Sequence, residues 1–300
     1  MALVLRGFNT QKYAINLQKV YLQYIFKNLI KFKPLKLAIF TFCKSNTMAY
    51  EIIQEGKFSY IEEGTGEPLV LLHGLFGALS NFSDLFNHFK DKYRVIIPML
   101  PLYDLPIIKT GVSSLAKYVH EFIEFKDLKN ITLLGNSLGG HISLVYYTKW
   151  PERVHSMVLT GSSGLYENAF GSQYPRKGDK EYLREKAAKT FYDPKHVTDD
   201  LVDELFEVIN DRNKLIRILA IAKSAIRHNM AEDLPKFKIP VCLIWGKQDN
   251  VTPPEVATEF NSLLPNSELF WIDKCGHAPM MEHPVEFNTI LSPWLAKIKG

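Results

Sequence analysis

From residue 51 onward, apolar runs of strand length alternate with segments that carry apolar residues at helical spacing. Nearly continuous Val, Ile and Leu content is typical of strands buried on both faces. Alternation of such strands with helices is typical of a mostly parallel sheet covered on both sides. The pattern therefore predicts a doubly wound α/β fold, with Lys57–Glu62 as an edge strand. The predicted strands are Lys57–Glu62, Pro68–His73, Arg94–Leu100, Ile131–Asn136, Val154–Gly161, Val241–Gly246 and Leu269–Asp273.

Four segments between these strands have the helical pattern. Leu138–Lys149 ends just before Pro151, because proline cannot continue a helix. Val285–Ile298 begins directly after Pro284, a residue that favours a helix start. The predicted helices are Ser114–Phe125, Leu138–Lys149, Pro254–Leu264 and Val285–Ile298.

One long stretch interrupts the alternation. Residues 165–234 have no strand pattern, and Lys180–Lys189 and Asp199–Ile209 are charged and favour helices. A doubly wound sheet needs only one crossover helix at this point. We therefore predict that residues 165–234 form an inserted helical cap, which would exclude water and shape a pocket. The alternative is a set of ordinary surface helices. The sheet and its own helices then comprise residues 48–164 and 235–300.

Charge separates the first 47 residues from the rest. The whole chain has a net charge of +4, but residues 1–47 contain eight basic side chains and no acidic one. The remaining residues therefore carry 28 basic and 32 acidic side chains, or −4. This mildly acidic body predicts no nucleic-acid partner. The three cysteines are scattered, which predicts a reducing compartment without a disulfide framework or a zinc site.

Four lysines interrupt the apolar stretch Tyr21–Cys43, so it is not predicted to cross a membrane. No secretory cleavage pattern follows it either. Three interpretations of residues 1–47 stay open: an upstream extension of the coding sequence, a membrane-surface segment, or a targeting peptide. Translation is expected to start at Met1 or at Met48. We expect a cytoplasmic protein, or an organellar or membrane-peripheral one if residues 1–47 belong to it.

The most specific motif is Gly135-Asn136-Ser137-Leu138-Gly139-Gly140. It places a Gly-x-Ser-x-Gly pattern between a predicted strand and a predicted helix, as a nucleophile elbow requires. The glycines on either side leave room for a tight, strained turn at the serine. We therefore predict that Ser137 is a nucleophile. The alternative is a plain glycine turn that leads into a helix.

A nucleophilic serine needs a general base. His277 lies in a loop after the last predicted strand and can reach the carboxyl edge of the sheet, where active sites of such sheets form. His283 is a less suitable base, because it directly precedes Pro284 and a helix start. We therefore predict that His277 accepts the proton of Ser137.

The histidine in turn needs an acid that fixes its tautomer and stabilises the imidazolium. Asp249 lies in the loop after Val241–Gly246 and is the predicted acid. Asp273, at the end of the following strand, is the alternative.

Two backbone N–H groups are needed to stabilise the oxyanion of an acyl-transfer intermediate. Leu138 follows the nucleophile and is expected to supply one of them. The second is expected from Leu75, or from Phe76, in the loop after Pro68–His73. Gly74, Phe76 and Asn136 are predicted to line the substrate pocket.

With these residues in place, the chain resembles the α/β-hydrolase superfamily from about Glu51 to Trp294. The motifs H-G-L-F-G, G-N-S-L-G-G, W-G-K-Q-D and G-H-A-P-M-M-E-H-P occur in the order of that superfamily. The chain order of serine, aspartate and histidine also matches it. The resemblance implies the fold and the three catalytic roles assigned above. Dehalogenases and epoxide hydrolases of this superfamily use an aspartate where this chain has Ser137.

Within the superfamily, G-N-S-L-G-G and M-V-L-T-G-S-S-G-L are similar to the meta-cleavage-product hydrolases, which cleave C–C bonds. Those enzymes usually have Trp where this chain has Ala278. They also tend to have Asp-x-Pro-Gly where this chain has Met99-Leu100-Pro101-Leu102. Small carboxylesterases share the remaining features.

We therefore expect a serine hydrolase that needs no metal and no cofactor. Its expected substrates are small or medium carboxylic esters, which it cleaves through an acyl-enzyme. The alternatives are a C–C bond hydrolase of the meta-cleavage-product type and a ligand-sensing protein that keeps the fold. Membrane contact is expected only through residues 1–47. The sequence makes no prediction of the oligomeric state.

Overall fold

In the computed structural model, residues 50–76, 79–168 and 178–299 are described. The chain divides into two compact units, Met1–Ala49 and Tyr50–Gly300. The predictions for residues 1–47 therefore lie outside the described residues. Within the described ranges, no helix has the length and the hydropathy needed to cross a membrane.

An eight-stranded sheet forms the centre of the second unit, in the spatial order β1-β2-β4-β3-β5-β6-β7-β8. The pairs β1–β2 and β2–β4 are antiparallel, and all other neighbours are parallel. The predicted α/β class with a mostly parallel sheet is thus confirmed. The strands are β1 (Ile53–Glu55), β2 (Phe58–Glu63), β3 (Pro68–Leu72), β4 (Arg94–Pro98), β5 (Ile131–Asn136), β6 (Val154–Thr160), β7 (Val241–Gly246) and β8 (Ser267–Ile272).

The prediction of Lys57–Glu62 as an edge strand is wrong. β2 covers this segment, but β1 pairs with its outer side through a short hairpin. Gly56 makes the turn with φ of +59°, a left-handed conformation that glycine adopts without strain. The sequence gives little sign of β1, because it has only three residues and includes the polar Gln54.

The apolar layers on the two sides of the sheet follow from the alternation of side chains along each strand. Leu133 packs into one layer with α2, α3 and α7, whereas the next residue, Leu134, packs into the other with α1 and α9. The sheet is therefore covered on both faces, as a doubly wound fold requires. The helices are α1 (Ser83–Phe89), α2 (Val112–Phe125), α3 (Leu138–Lys149), α4 (Lys180–Ala188), α5 (Asp199–Asn210), α6 (Arg212–Arg227), α7 (Pro254–Leu263), α8 (Pro279–Glu282) and α9 (Pro284–Ile298).

The strand register brings several loops to one edge of the sheet. Leu72 of β3 is opposite Gly135 of β5, and Asn136 is opposite Thr160 of β6. Gly246 at the end of β7 is opposite Ile272 at the end of β8. Because these strands are parallel, the loops after β3, β5, β6, β7 and β8 all begin at the carboxyl edge.

Three helices, α4, α5 and α6, lie between β6 and β7, and the described part of residues 165–234 contains no strand. Helix α6 is held to the sheet-bearing part of the chain by two hydrogen bonds. Ser224 Oγ accepts from the Val112 backbone N–H at 3.2 Å. Arg217 Nε donates to the Leu105 carbonyl at 2.8 Å. That these helices cover the substrate site stays a prediction.

Candidate active site

Ser137 occupies a strained turn between β5 and α3. Its backbone has φ of 54° and ψ of −120°, a region that residues other than glycine rarely adopt. Its N–H donates to the Thr160 carbonyl at 3.1 Å, which ties the turn to the neighbouring strand. Within residues 131–140, Ser137 alone is not buried. Ser137 is therefore the most accessible residue of this segment.

The glycines of the motif are required by close backbone packing. A Cβ atom on Gly139 would lie 1.9 Å from the Leu72 carbonyl oxygen. A Cβ atom on Gly135 would lie 2.4 Å from the backbone of Gly139. Real Cβ atoms cannot approach so closely, so the elbow can form only with glycine at both positions.

Asp249 and His277 form a buried pair at the carboxyl edge. His277 Nδ1 lies 2.9 Å from Asp249 Oδ2 and 3.1 Å from Oδ1. The side chains are almost fully enclosed, with Asp249 2% and His277 6% exposed. A carboxylate at this distance fixes the tautomer that has its proton on Nδ1 and leaves Nε2 free to accept one.

The loop after β7 holds the Asp249 carboxylate in place. The backbone N–H groups of Val251 and Thr252 donate to Oδ1 at 2.8 and 2.9 Å. The Thr252 hydroxyl donates to Oδ2 at 2.8 Å. Sequence analysis missed Thr252, although an Asp followed by polar and backbone donors two and three residues later is typical of an Asx-type turn.

The pKa of His277 is raised above its usual value. Burial is the largest single influence and by itself lowers the pKa, since it disfavours the charged imidazolium. The negative charge and hydrogen bond of Asp249, with the charges of Glu167 and Glu282, outweigh burial. The imidazolium is thus stabilised in this site, as a general base requires once it has taken a proton.

Two neighbours anchor the loop that carries His277. The His277 N–H donates to the Thr190 carbonyl at 2.8 Å. The buried Glu282 carboxylate accepts from the Gly276 N–H and from the Tyr192 N–H, each at 2.7 Å. Glu282 was not singled out from the sequence, because its partner Tyr192 lies on a distant segment of the chain.

Asn136, predicted to line the pocket, is 4% exposed and bonds to backbone. Its side-chain nitrogen donates to the Thr160 carbonyl at 3.0 Å and to the His277 carbonyl at 3.1 Å. It therefore links the strand that ends at the elbow to the histidine loop. These bonds give Asn136 a positioning role that the sequence analysis did not foresee.

The loop after β3 lies against the elbow. A Cβ atom on Gly74 would be 3.2 Å from Ser137 Cβ. His73 Nδ1 bonds to the Gly74 carbonyl at 2.8 Å, and burial lowers the pKa of this histidine. Leu75 and Phe76 are half-buried, and Leu138 is the first residue of α3. The assignment of Leu75, Phe76 and Leu138 as oxyanion donors stays a prediction.

The alternative residues have other partners. Asp273 is exposed, and its carboxylate accepts from Gln248 Nε2 at 3.3 Å. His283 Nε2 lies 2.9 Å from the Lys274 carbonyl. Neither side chain is paired with His277 or Asp249 among the described residues. In the same ranges, no three His, Cys, Asp or Glu side chains are grouped to hold a metal ion.

Comparison with known proteins identifies the family of this fold. A model of the alpha/beta hydrolase fold family matches residues 67–191 and 181–284. The chain belongs to the α/β-hydrolase family. This match confirms the resemblance to the α/β-hydrolase superfamily that the four sequence motifs indicate.

Curated and solved relatives of this α/β-hydrolase are enzymes. Lipase 1 of Psychrobacter immobilis is 28% identical over 75% of this chain and 76% of its own length. A 2-hydroxy-6-oxononadienedioate/2-hydroxy-6-oxononatrienedioate hydrolase of Escherichia coli is 29% identical over 77% of this chain and 88% of its own. A solved structure that is similar to this chain is that of MGS-MChE2, an alpha/beta hydrolase enzyme from a lagoon-sediment metagenome. The two sequences are 50% identical, and the match covers 83% of this chain and 99% of the MGS-MChE2 chain, with a TM-score of 0.70. The protein is thus a hydrolase.

Proposed function

We propose that this α/β-hydrolase is a serine hydrolase that cleaves small or medium carboxylic esters through an acyl-enzyme. Ser137 is the nucleophile, His277 the general base and Asp249 the acid that orients the histidine. The observation that carries the proposal is the buried Asp249–His277 pair, at 2.9 Å, beside a strained and accessible serine.

In the first half of the reaction, Ser137 Oγ attacks the ester carbonyl carbon and His277 Nε2 takes its proton. The oxyanion of the tetrahedral intermediate accepts hydrogen bonds from the Leu138 N–H and from that of Leu75 or Phe76. Each such donor contributes about 3–4 kcal/mol to transition-state stabilisation in related sites. His277 then donates its proton to the leaving alcohol, and the acyl group stays on Ser137.

In the second half, water attacks the acyl-enzyme, with His277 again as the base. The proton returns to Ser137 when the carboxylic acid leaves. Asp249 remains ionised throughout and stabilises the imidazolium in both halves. All these steps use side chains and backbone groups of this chain together with water.

We also propose that residues 165–234 act as a cap on this site. The support is the contact of residues 190–192 with the histidine loop, through the Thr190 carbonyl and the Tyr192 N–H. A segment that touches this loop shapes the space above Ser137 and limits the entry of water.

C–C bond hydrolysis is the second candidate for the same residues. The 29% identity to the Escherichia coli dienedioate hydrolase favours it. Ala278 argues against it, since meta-cleavage-product hydrolases usually have Trp at that position. Lipase 1, at 28% identity, favours ester hydrolysis equally on sequence grounds. Substrate comparison therefore decides between the two reactions.

The proposal is tested by labelling with a fluorophosphonate probe, followed by hydrolysis assays. We expect the wild type and Ser113→Ala, which changes an exposed serine on α2, to be labelled equally. We expect Ser137→Ala to be folded and unlabelled. The wild type should then hydrolyse p-nitrophenyl acetate or butyrate faster than a 2-hydroxy-6-oxo-dienoate.

Rapid turnover of the dienoate with only trace ester hydrolysis would instead establish the C–C hydrolase. A folded wild type that is not labelled and turns over neither substrate would overturn the proposal. Saturable binding of a small molecule by that protein would then favour the ligand-sensing alternative.

A further inference from the structure

A hydrogen-bonded chain connects the nucleophile to a carboxylate outside the proposed triad. The Ser163 N–H donates to the Ser137 carbonyl at 3.2 Å. The Ser163 hydroxyl donates to the Glu167 carboxylate. Because Ser163 itself is only 3% exposed, its two bonds are fixed in place. Only Ser163 therefore separates Glu167 from Ser137 in this chain of hydrogen bonds.

The segment that carries Glu167 is also anchored on its far side. The Asn168 N–H donates to the Val251 carbonyl at 2.7 Å, and Asn168 Nδ2 donates to the Asn250 carbonyl at 2.9 Å. Both acceptors belong to the loop that carries Asp249. Glu167 is thus fixed between the elbow and the acid loop, which are the two sides of the candidate active site.

The three side-chain charges with the largest effect on the pKa of His277 are all negative. Asp249, Glu167 and Glu282 each raise the pKa of this histidine through their negative charge. Asp249 and Glu282 are buried and bind backbone N–H groups, so their oxygens are already used. Glu167 is only half-buried, and no Lys or Arg of the described ranges forms an ion pair with it. Of the three carboxylates, Glu167 is the most exposed.

We propose that Glu167 is a specificity-determining residue that selects substrates by charge. It favours esters that carry an ammonium group and disfavours esters that carry a carboxylate. The inference rests on the proposed function, because it names the substrate class of the same site. A fixed, half-buried charge close to the buried Asp249–His277 pair acts through a lower effective dielectric than in water, so its effect on a charged ligand at this site is strong. The selection has no effect on neutral esters of the same shape.

The test compares three esters of one acyl group, such as butyrate, with alcohols of similar size. Choline provides a trimethylammonium group, 3,3-dimethylbutanol is its neutral isostere, and 4-hydroxybutanoate provides a carboxylate. In the wild type, kcat/KM should be highest for the choline ester and lowest for the anionic ester. Glu167→Gln keeps an acceptor for the Ser163 hydroxyl but removes the charge. We expect it to lower the choline-to-neutral ratio at least about fivefold and to raise the anionic-to-neutral ratio.

Glu185→Gln is the matched control, since it removes the same charge from an exposed position on α4. It should leave both ratios unchanged. A second measurement needs no variant: in the wild type, the choline preference should fall as salt is raised, because the Debye length shrinks from about 10 Å at 0.1 M to about 3 Å at 1 M. Ratios that are the same in Glu167→Gln as in the wild type would overturn the inference.

Binding separates this inference from the proposed function. Calorimetry of the same three esters with Ser137→Ala and with Ser137→Ala/Glu167→Gln measures charge selection without turnover. If binding of the choline ester depends on Glu167 while the wild type hydrolyses no ester, the inference stands and the proposed function fails. If esters are hydrolysed but neither binding nor kcat/KM depends on Glu167, the proposed function stands and the inference fails.

Discussion

His141 and His228 stack on each other with ring centroids 5.2 Å apart, and His141 Nε2 lies 3.0 Å from His228 Nδ1. His141 is on α3, one turn after Ser137, and its N–H donates to the Ser137 carbonyl. His228 follows the last residue of α6. The pair therefore joins the helix behind the nucleophile to the predicted cap. A protonated His141 carries an N–H at Nδ1, and this buried atom has no hydrogen-bond partner among the described residues.

The first prediction concerns the effect of this buried histidine pair on the stability of the protein at acidic pH. Burial, with a smaller effect of His228, lowers the pKa of His141 from 6.5 to about 3. The unfolded chain therefore binds a proton that the folded protein rejects as the pH falls below about 6.5. The contribution of His141 to the free energy of unfolding is complete above that pH. It is lost progressively as the pH falls to about 3. Between pH 6.5 and pH 5 the loss from this group is about 2 kcal/mol.

We expect His141→Phe to flatten the dependence of the melting temperature on pH between pH 7 and pH 5. Phenylalanine keeps a ring in the buried site but has no group that titrates. His88→Phe, at an exposed position on α1, is the control and should keep the wild-type slope. An unchanged slope in His141→Phe would show that other groups, such as the buried His73, account for the acid sensitivity.

The second prediction concerns the acid of the proposed triad. Asp249→Asn keeps an oxygen for the backbone N–H groups of Val251 and Thr252 but removes the charge that faces His277. The loss of the charge and of the fixed tautomer should lower kcat for ester hydrolysis by about 10³–10⁴-fold. Folding, measured by circular dichroism, should be little affected.

Asp273→Asn is the matched control for that measurement, since Asp273 is the other acid that the sequence offered. It is exposed and bonded to Gln248, so kcat should stay within about twofold of the wild type. A large loss of kcat in Asp273→Asn, with little loss in Asp249→Asn, would mean that the acid has been assigned to the wrong residue.

The sequence was sufficient to predict seven of the eight described strands and the loops of the candidate site. Buried parallel strands leave long apolar runs, so β5 and β7 were predicted with the bounds that the structure gives. Ser137 and Asp249 come after the ends of these two strands, and His277 comes after β8. Short or polar elements leave no such pattern, which explains why β1 and α1 were missed.

The residues that support the site could not be predicted, because their partners are distant in the chain. Glu282 binds the Tyr192 N–H, which is 90 residues away, and Asn136 binds the His277 carbonyl, which is 141 residues away. Such bonds depend on how the loops meet in three dimensions. The local sequence pattern carries no information about which loops come into contact. Only the structure therefore shows that Glu282 and Asn136 hold the His277 loop in place.

The third prediction concerns Glu282, which is 8% exposed and accepts hydrogen bonds from the Gly276 and Tyr192 N–H groups through different oxygens. Glu282→Gln replaces one acceptor with an NH₂ group that faces an N–H donor. Leaving such a buried donor unpaired costs about 1–3 kcal/mol, so the melting temperature should fall. The change also removes a negative charge that raises the pKa of His277.

The pH profile separates these two effects of Glu282→Gln. In the proposed mechanism His277 accepts a proton only when it is neutral, so a lower pKa of His277 extends activity to lower pH. The acidic limb of the kcat/KM profile for a neutral ester should therefore move to lower pH. Glu286→Gln, at an exposed position on α9, should leave both the melting temperature and the acidic limb unchanged. If Glu282→Gln lowers the melting temperature without moving the acidic limb, Glu282 supports the loop but does not influence the base, because a purely structural contact has no reason to shift a titration.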